Sequence, residues 1–397
     1  MNREVLPEFV QVLQDTLAYW LRLTAALDDA LIIQIDPDRR NLRDALTMGL
    51  SLPQTCALAS EVAWQTFFLA EQRGYWPEWI SFFKRALADC PSLSPQQRHR
   101  CLYRLGELHR HTQNLTEAVA THQQAEALAQ ELDDELALAE ARSRLCWDYL
   151  EMRQYKEAEV CCRFAIDTFT RLNIRRDLLT NSYWAWGSLA RRRGELDAAQ
   201  ERLSQAIEMA LATQQPTHRA RMITELGNIL SGKELYDEAL ACYDEAAEML
   251  AGTASERDKV FMQINRAIIF YRQERWPEVE SVWRHVVNSA YVRQSGELHL
   301  QAMVAYNLAT ALLKTGDLVE AEAQLKYALR LRIELQDKVR QGSILGALAQ
   351  LRLRQGKQDE AISLFEQVRQ LLEAYPDDAY AQRVLRTIEA EQRDLRR

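Results

Sequence analysis

Apolar residues recur three and four positions apart through most of the chain, the spacing that holds one face of an α-helix against a core. In TGDLVEAEAQLKYAL, residues 315–329, a glycine–aspartate pair is followed by an apolar residue at 318, an alanine at 321 and a second alanine of the pattern at 328. An isolated helix needs no such rhythm, and the same neighbourhood returns along the chain. QNLTEAVATHQQA puts Ala118 in the role of Ala321. RQYKEAEVCCRFA, RGELDAAQERLSQA, KELYDEALACYDEA and GKQDEAISLFEQV do the same with Ala158, Ala199, Ala239 and Ala361. Two degenerate copies, ERWPEVESVWRHV and RGYWPEWISFFKRA, supply Val279 and Trp79. The eight anchors stand 39 to 42 residues apart.

Other positions move with them. Twelve residues before each anchor stand Phe67, Gly106, Cys146, Gly187, Gly227, Ala267, Ala309 and Ala349, seven of them small. Seven after come Ala86, Ala125, Ala165, Ala206, Ala246, Val286, Ala328 and Val368. Three before come Trp76, Leu115, Tyr155, Leu196, Tyr236, Trp276, Leu318 and Gln358. Small residues at these places let two antiparallel helices, and the next pair, approach closely, while the residue at the turn closes the apolar seam. Glycine or asparagine before the turn suits a left-handed helix C-terminus. Asp317 and Asp197 are expected to cap the second helix.

These features together resemble the tetratricopeptide repeat (TPR) family, over roughly residues 59–375. The resemblance implies an all-α fold: a right-handed superhelix, or α-solenoid, of about eight helix pairs with the first helices lining its concave face. The period of about 40 exceeds the family's 34, so each unit has longer helices or longer loops. Long-period arrays of this kind are typical of bacterial signalling regulators and of kinesin-light-chain-like adaptors. Residues 1–58 fall outside the repeat and read as an N-terminal helical cap; residues 376–397 read as a C-terminal capping helix. Within the first segment NLRDAL also resembles a stretch near the start of the helical sensor arrays of large signal-transduction ATPases.

Composition fits. The 397 residues are 47% hydrophobic and 27% charged, with 13 Gly and 9 Pro, which is too apolar for a disordered chain. The formal net charge of -8 argues against a nucleic-acid partner. The basic tail Arg393–Arg397 reads as a solvated helix end. Seven cysteines without a CxxC pair suit free thiols in a reducing compartment. The N-terminus lacks a signal-peptide layout and no apolar run reaches about 18 residues, so a cytoplasmic chain without membrane association is expected.

Catalytic signatures are missing from the sequence. GxxxxGK[ST], GxSxG, HExxH and GxGxxG do not occur. His109 and His111 are two apart, where a helical metal site wants three or four. No cofactor or metal is expected, and the chain reads as a non-enzyme.

What remains is the groove that the TPR resemblance implies. Carried onto this chain, the family's ligand positions hold Tyr103, Glu107, Arg110 and His111, then Trp147, then Trp184, Arg191 and Arg192, then Asn228. Later copies give Tyr271 and Arg272, then Tyr306 and Lys314; one turn earlier stand Arg100, Asn181 and Arg221. Rigid aromatics, forked guanidiniums and amides suit a protein or peptide ligand. The same residues also fit a purely structural role between stacked helices. The functional expectation is a binding scaffold or regulatory module. Its alternatives are a Rap-like peptide-pheromone sensor, or the sensor subunit of a protease or ATPase system with a partner enzyme.

Overall fold

The computed structural model describes residues 6–173, 176–211, 216–376 and 378–395. The ends of the chain, including Arg396 and Arg397 of the basic tail, lie outside the described residues. Among the described residues every regular element is helical. Helices α1 (Pro7–Leu23), α2 (Asp29–Ile35) and α3 (Arg39–Gly49) precede the repeats. The first repeat has a broken first helix, α4 (Cys56–Gln65) and α5 (Phe67–Arg73), followed by α6 (Trp76–Asp89). Six regular pairs are α7 (Pro95–His111) with α8 (Leu115–Glu131), α9 (Glu135–Glu151) with α10 (Tyr155–Arg171), α11 (Arg176–Arg192) with α12 (Leu196–Leu211), α13 (Pro216–Gly232) with α14 (Tyr236–Leu250), α15 (Glu256–Arg272) with α16 (Trp276–Asn288), and, after the short α17 (Ala290–Gln294), α18 (Leu298–Thr315) with α19 (Leu318–Glu334). The eighth pair is α20 (Lys338–Arg354) with α21 (Gln358–Leu372), and α22 (Ala379–Leu395) packs on both of its helices. The all-α solenoid array of helix pairs is therefore present. None of the described helices is long and apolar enough to cross a membrane.

The long period lies in the helices. α7, α8, α9 and α10 are each 17 residues long, joined by turns of three residues at 112–114, 132–134 and 152–154. Every first-to-second-helix turn has its left-handed residue five positions before the anchor. Four are Gly74, Gly194, Gly316 and Gly356; the others are Gln113, Arg153, Glu234 and Glu274, with φ between 56° and 64°. A side chain in this region costs roughly 1–2 kcal/mol, which glycine avoids at a smaller cost in chain entropy. Glu274→Gly is therefore expected to stabilise the protein by a few tenths to about 1 kcal/mol, read as a higher midpoint in urea. A lower midpoint would show that the Glu274 side chain contributes something beyond its backbone. Asp317 caps α19 as expected, accepting from Glu320 N at 3.0 Å. Asp197 does not cap α12. It stands two residues further along the repeat than Asp317, inside the first turn, and its carboxylate receives Lys233 Nζ at 2.6 Å.

The small first-helix residue has a large partner four residues after the anchor. Gly106 faces His122, and Gly227 faces Tyr243; a Cβ added at those glycines would lie 2.3 Å from the histidine ring and 2.4 Å from the tyrosine ring. In the first repeat Phe67 replaces the small residue and Phe83 is also large, both fully buried. A straight helix cannot seat both, and the first helix breaks between Gln65 and Phe67.

One cysteine expectation is overturned. Cys56, at the start of α4, and Cys90, just after α6, are joined in a disulfide with Cα atoms 5.6 Å apart, clamping the two ends of the first repeat. Spacing along the sequence gave no sign of it, because helix hairpin geometry brings residues 34 apart together. Cys101, Cys146, Cys161, Cys162 and Cys242 are free.

The chain divides into two compact units: residues 1–262 with 294–296, and residues 263–293 with 297–397. In the first, α1 and α3 pack on α4, and Leu13, Leu17, Trp20, Leu42 and Leu46 are buried.

Candidate ligand-binding face

In the first unit, successive first helices are stitched by ion pairs one repeat apart. Arg110 Nη1 lies 3.3 Å from Asp148 Oδ1, Arg191 Nε donates to Glu225 Oε1 at 2.7 Å, and Arg221 Nε lies 2.8 Å from both oxygens of Asp258. Arg144 reaches back to Glu107 at 3.1 Å and donates to Tyr103 Oη at 2.6 Å. Burial alone would raise the Glu107 carboxyl, but Arg144, Arg104 and Arg110 hold it down to about 2. Burial works against the Arg144 charge as well, yet Glu107 and Tyr103 keep it above the ordinary guanidinium range.

At the centre of this stitching, His122 and Asp148 are both fully buried. His122 Nε2 lies 3.0 Å from the Tyr103 carbonyl oxygen, which only accepts, so this nitrogen donates. Nδ1 shares the remaining bond with Asp148 Oδ2 at 2.5 Å. The helix-to-helix contact at Gly106 thus carries a satisfied polar network.

The first repeat also reaches much later ones. Glu71 of α5 meets Arg221 of α13 at 3.2 Å, Arg73 meets Glu256 at 3.9 Å, and Arg257 donates to His111 Nδ1 at 3.3 Å. His111 stacks on Trp76 with ring centroids 4.8 Å apart. Burial, then the cations Arg257, Arg110, Arg221 and Arg144, push the His111 imidazole well below its usual value, consistent with Nδ1 accepting. Burial and Arg221 likewise lower His218 to about 4. The face formed by the first helices closes on itself here.

The positions expected to contact a ligand therefore divide. Arg110, Arg191 and Arg221 are engaged as above, and Tyr103 is buried, its hydroxyl pushed up to about 12 mainly by that burial. Arg192 donates to Glu151 at 2.6 Å and Arg100 to Glu61 at 3.0 Å. Asn228 donates to Glu225 and accepts from Tyr243 Oη, both at 2.8 Å. Asn181 is half-buried one turn before Trp184. Trp147 and Trp184 meet edge to face at 5.1 Å, and the buried Trp184 Nε1 has no hydrogen-bond partner among the described residues. In the second unit, Tyr271 is exposed and set edge-on to Trp276 at 5.2 Å, Arg272 is exposed, and Tyr306 lines a cavity.

Sequence reasoning missed the acids Glu71, Asp148, Glu225 and Asp258. The available signal was an acid 34 to 38 residues after each of Arg110, Arg191 and Arg221, close to one repeat on. Among the described residues no cluster of three potential ligands could hold a metal ion.

In the first unit, stacked hairpins whose first helices are joined by ion pairs define a helical-repeat scaffold. Residues 300–374 and 220–249 match the tetratricopeptide repeat family, so these segments carry tetratricopeptide repeats. No curated protein matches the chain by sequence. Among solved structures it is similar to a Rap protein complexed with Competence and Sporulation Factor: 13% identity, TM-score 0.60, covering 92% of this chain and 98% of that one. It is similar to the Rap conjugation gene regulator of plasmid pLS20 in complex with the Phr* peptide: 16% identity, TM-score 0.55, covering 83% and 96%. It is also similar to a signal transduction ATPase with a tetratricopeptide repeat sensor from Pyrococcus horikoshii: 12% identity, TM-score 0.60, covering 98% of this chain but 56% of that one. At these identities the likeness is one of fold.

Proposed function

We propose that this chain is a non-enzymatic regulatory module that binds a peptide or protein segment on the first-helix face of its third and fourth repeats. The observation that carries the reading is the Trp147–Trp184 pair with its buried, unpartnered indole N–H. The two half-buried indoles offer rigid apolar area, and an N–H without a partner among the described residues would gain from a ligand carbonyl. Arg191 and Arg192 lie two turns further along α11, already paired with Glu225 and Glu151, so an acidic ligand group would have to compete with those carboxylates for them. A short segment carrying apolar and acidic residues fits this mixture. The two Rap structures, each complexed with its own ligand, support the choice of a small partner.

A peptide-array screen read by fluorescence anisotropy tests the proposal. Trp184→Ala is expected to weaken a selected peptide by about 2 kcal/mol, roughly thirtyfold. Arg192→Glu should weaken it chiefly at low salt. Both variants should keep wild-type helix content by circular dichroism. A peptide that binds tightly and ignores both substitutions would move the site elsewhere.

A second reading rests on the signal transduction ATPase, whose chain extends well beyond the part similar to this one. Here the protein is the sensing arm for a separate partner enzyme, and its addition should change that enzyme's rate.

A further inference from the structure

The second unit contains a cavity of about 200 Å3 between α18, α19, α20 and α22, distinct from the tryptophan pair. Two guanidiniums, Arg332 and Arg340, stand on it with the hydroxyl-bearing Ser343 and Tyr380. Tyr306, Met303 and Ile344 supply its apolar wall.

The charges in this wall do not balance. Arg332 is buried, with 4% of its surface exposed. Its Nη2 donates to the His299 carbonyl at 3.2 Å, and its Nη1 donates to His299 Nδ1 at 2.9 Å and to Asp337 Oδ2 at 3.2 Å. Because an arginine only donates, His299 Nδ1 accepts and the imidazole adds no negative charge. Asp337 is already divided. Its Oδ1 caps α20 through Arg340 N at 3.1 Å, and its Oδ2 also serves Arg340 Nε at 3.4 Å. One carboxylate thus faces two guanidiniums, and Arg383 adds a third cation over the Tyr380 ring at 4.8 Å. Burial pulls Arg332 below its ordinary value and Asp337 opposes the shift only in part, which agrees with an under-compensated buried cation. Ser343 Oγ donates to Tyr380 Oη at 3.0 Å, so the tyrosine's own hydrogen remains to be donated.

We infer that this cavity is a binding site for a small organic carboxylate, its charge held by Arg340 and Arg332 with the Tyr380 hydroxyl, and its apolar body held between Tyr306, Met303 and Ile344. A forked guanidinium pairs with a planar carboxylate through two parallel bonds. The volume falls below the roughly 300–1,000 Å3 of pockets for drug-sized ligands, so the occupant is about one ring or one amino-acid side chain in size. Such a group comes either from a free carboxylic acid or from the last residue of a peptide. The inference stands apart from the peptide reading above, because it uses other residues in the other unit.

Benzoate is the probe, benzyl alcohol its neutral counterpart of similar shape, and N-acetylglycylphenylalanine the stand-in for a chain end. Binding to the full chain is read by saturation-transfer NMR. Benzoate is expected to bind at least about tenfold more tightly than benzyl alcohol. Arg340→Gln, at a largely exposed side chain, should remove at least about tenfold of the benzoate affinity and leave benzyl alcohol unchanged. Tyr380→Phe should weaken benzoate by a smaller factor, and both variants should retain wild-type circular dichroism. Preference for benzoate over the capped dipeptide assigns the site to a free acid; the reverse preference assigns it to a chain terminus. Benzoate binding no tighter than benzyl alcohol, or unaffected by Arg340→Gln, overturns the site.

Discussion

Asp148→Ala is expected to cost about 3–5 kcal/mol of unfolding free energy, the range for removing one partner of a buried ion pair. Asp148 is fully buried, and both of its oxygens are in use: Oδ2 faces His122 Nδ1 at 2.5 Å and Oδ1 receives Arg110 at 3.3 Å. Removing the carboxylate strands a buried ring nitrogen in a site closed to water and leaves the part-buried Arg110 with only its longer contact to Glu107 at 3.9 Å as an ion pair. It also frees the His122 ring, which fills the space left by Gly106. Asp148→Asn keeps the volume and one acceptor and should fall between the two. Glu61→Ala is the internal comparison: it removes the partner of the half-exposed Arg100 and should cost no more than about 1 kcal/mol. Urea unfolding of the three variants ranks them. If Asp148→Ala cost no more than Glu61→Ala, the buried network would be contributing nothing to stability, and Arg110 would return to the residues available for a ligand.

Gly227→Ala is expected to destabilise by about 2–3 kcal/mol although it adds a single methyl group and raises helix propensity. The new Cβ would lie 2.4 Å from Tyr243 Cε1, and the ring has nowhere to retreat. It is 1% exposed and tethered to Asn228 by its hydroxyl. The seventh repeat suggests the remedy, since Ala309 and Leu325 occupy the same two places and are both fully buried. Adding Tyr243→Leu to Gly227→Ala should therefore recover more than about 1 kcal/mol relative to the sum of the single changes. Simple additivity in that cycle would mean the two positions do not meet. Gly227→Leu and Ala239→Trp, which overfill the same seam further, should be worse than Gly227→Ala.

The repeat was legible because it is written in size. Ala239, Ala246 and Gly227 are small for the same reason in each copy, a close approach of neighbouring helices, and that requirement shows as a period of about 40. The turn was legible as well, since the left-handed residue falls five before every anchor. Its identity was not, because helix packing on both sides outweighs the 1–2 kcal/mol that Gln113, Arg153, Glu234 and Glu274 give up there. Asp317 was recognised as a cap and Asp197 misassigned because two residues of register separate the two positions.

The candidate ligand face was the least legible part. Carrying the family's positions along the chain identified residues on the first helices, and Trp147 and Trp184 do meet there. It did not show that Arg110, Arg191 and Arg221 would be engaged by Asp148, Glu225, Glu71 and Asp258. Those acids sit at different distances from their own small residues, so no single repeat position records them.

By itself, then, the sequence determined the helical class, the period and the pairing of helices within each repeat. These depend on local spacing and on side-chain volume, which are read along one chain segment at a time. Tertiary structure alone decided which cations are left for a ligand, that Cys56 meets Cys90, and that Arg332 and Arg340 share one carboxylate beside a cavity. The engagement of the cations depends on the twist from one repeat to the next, while the disulfide and the shared carboxylate depend on how neighbouring helices meet at their ends. Small angular differences accumulate over several repeats to bring Glu71 to Arg221, and no residue pattern within one repeat encodes that sum.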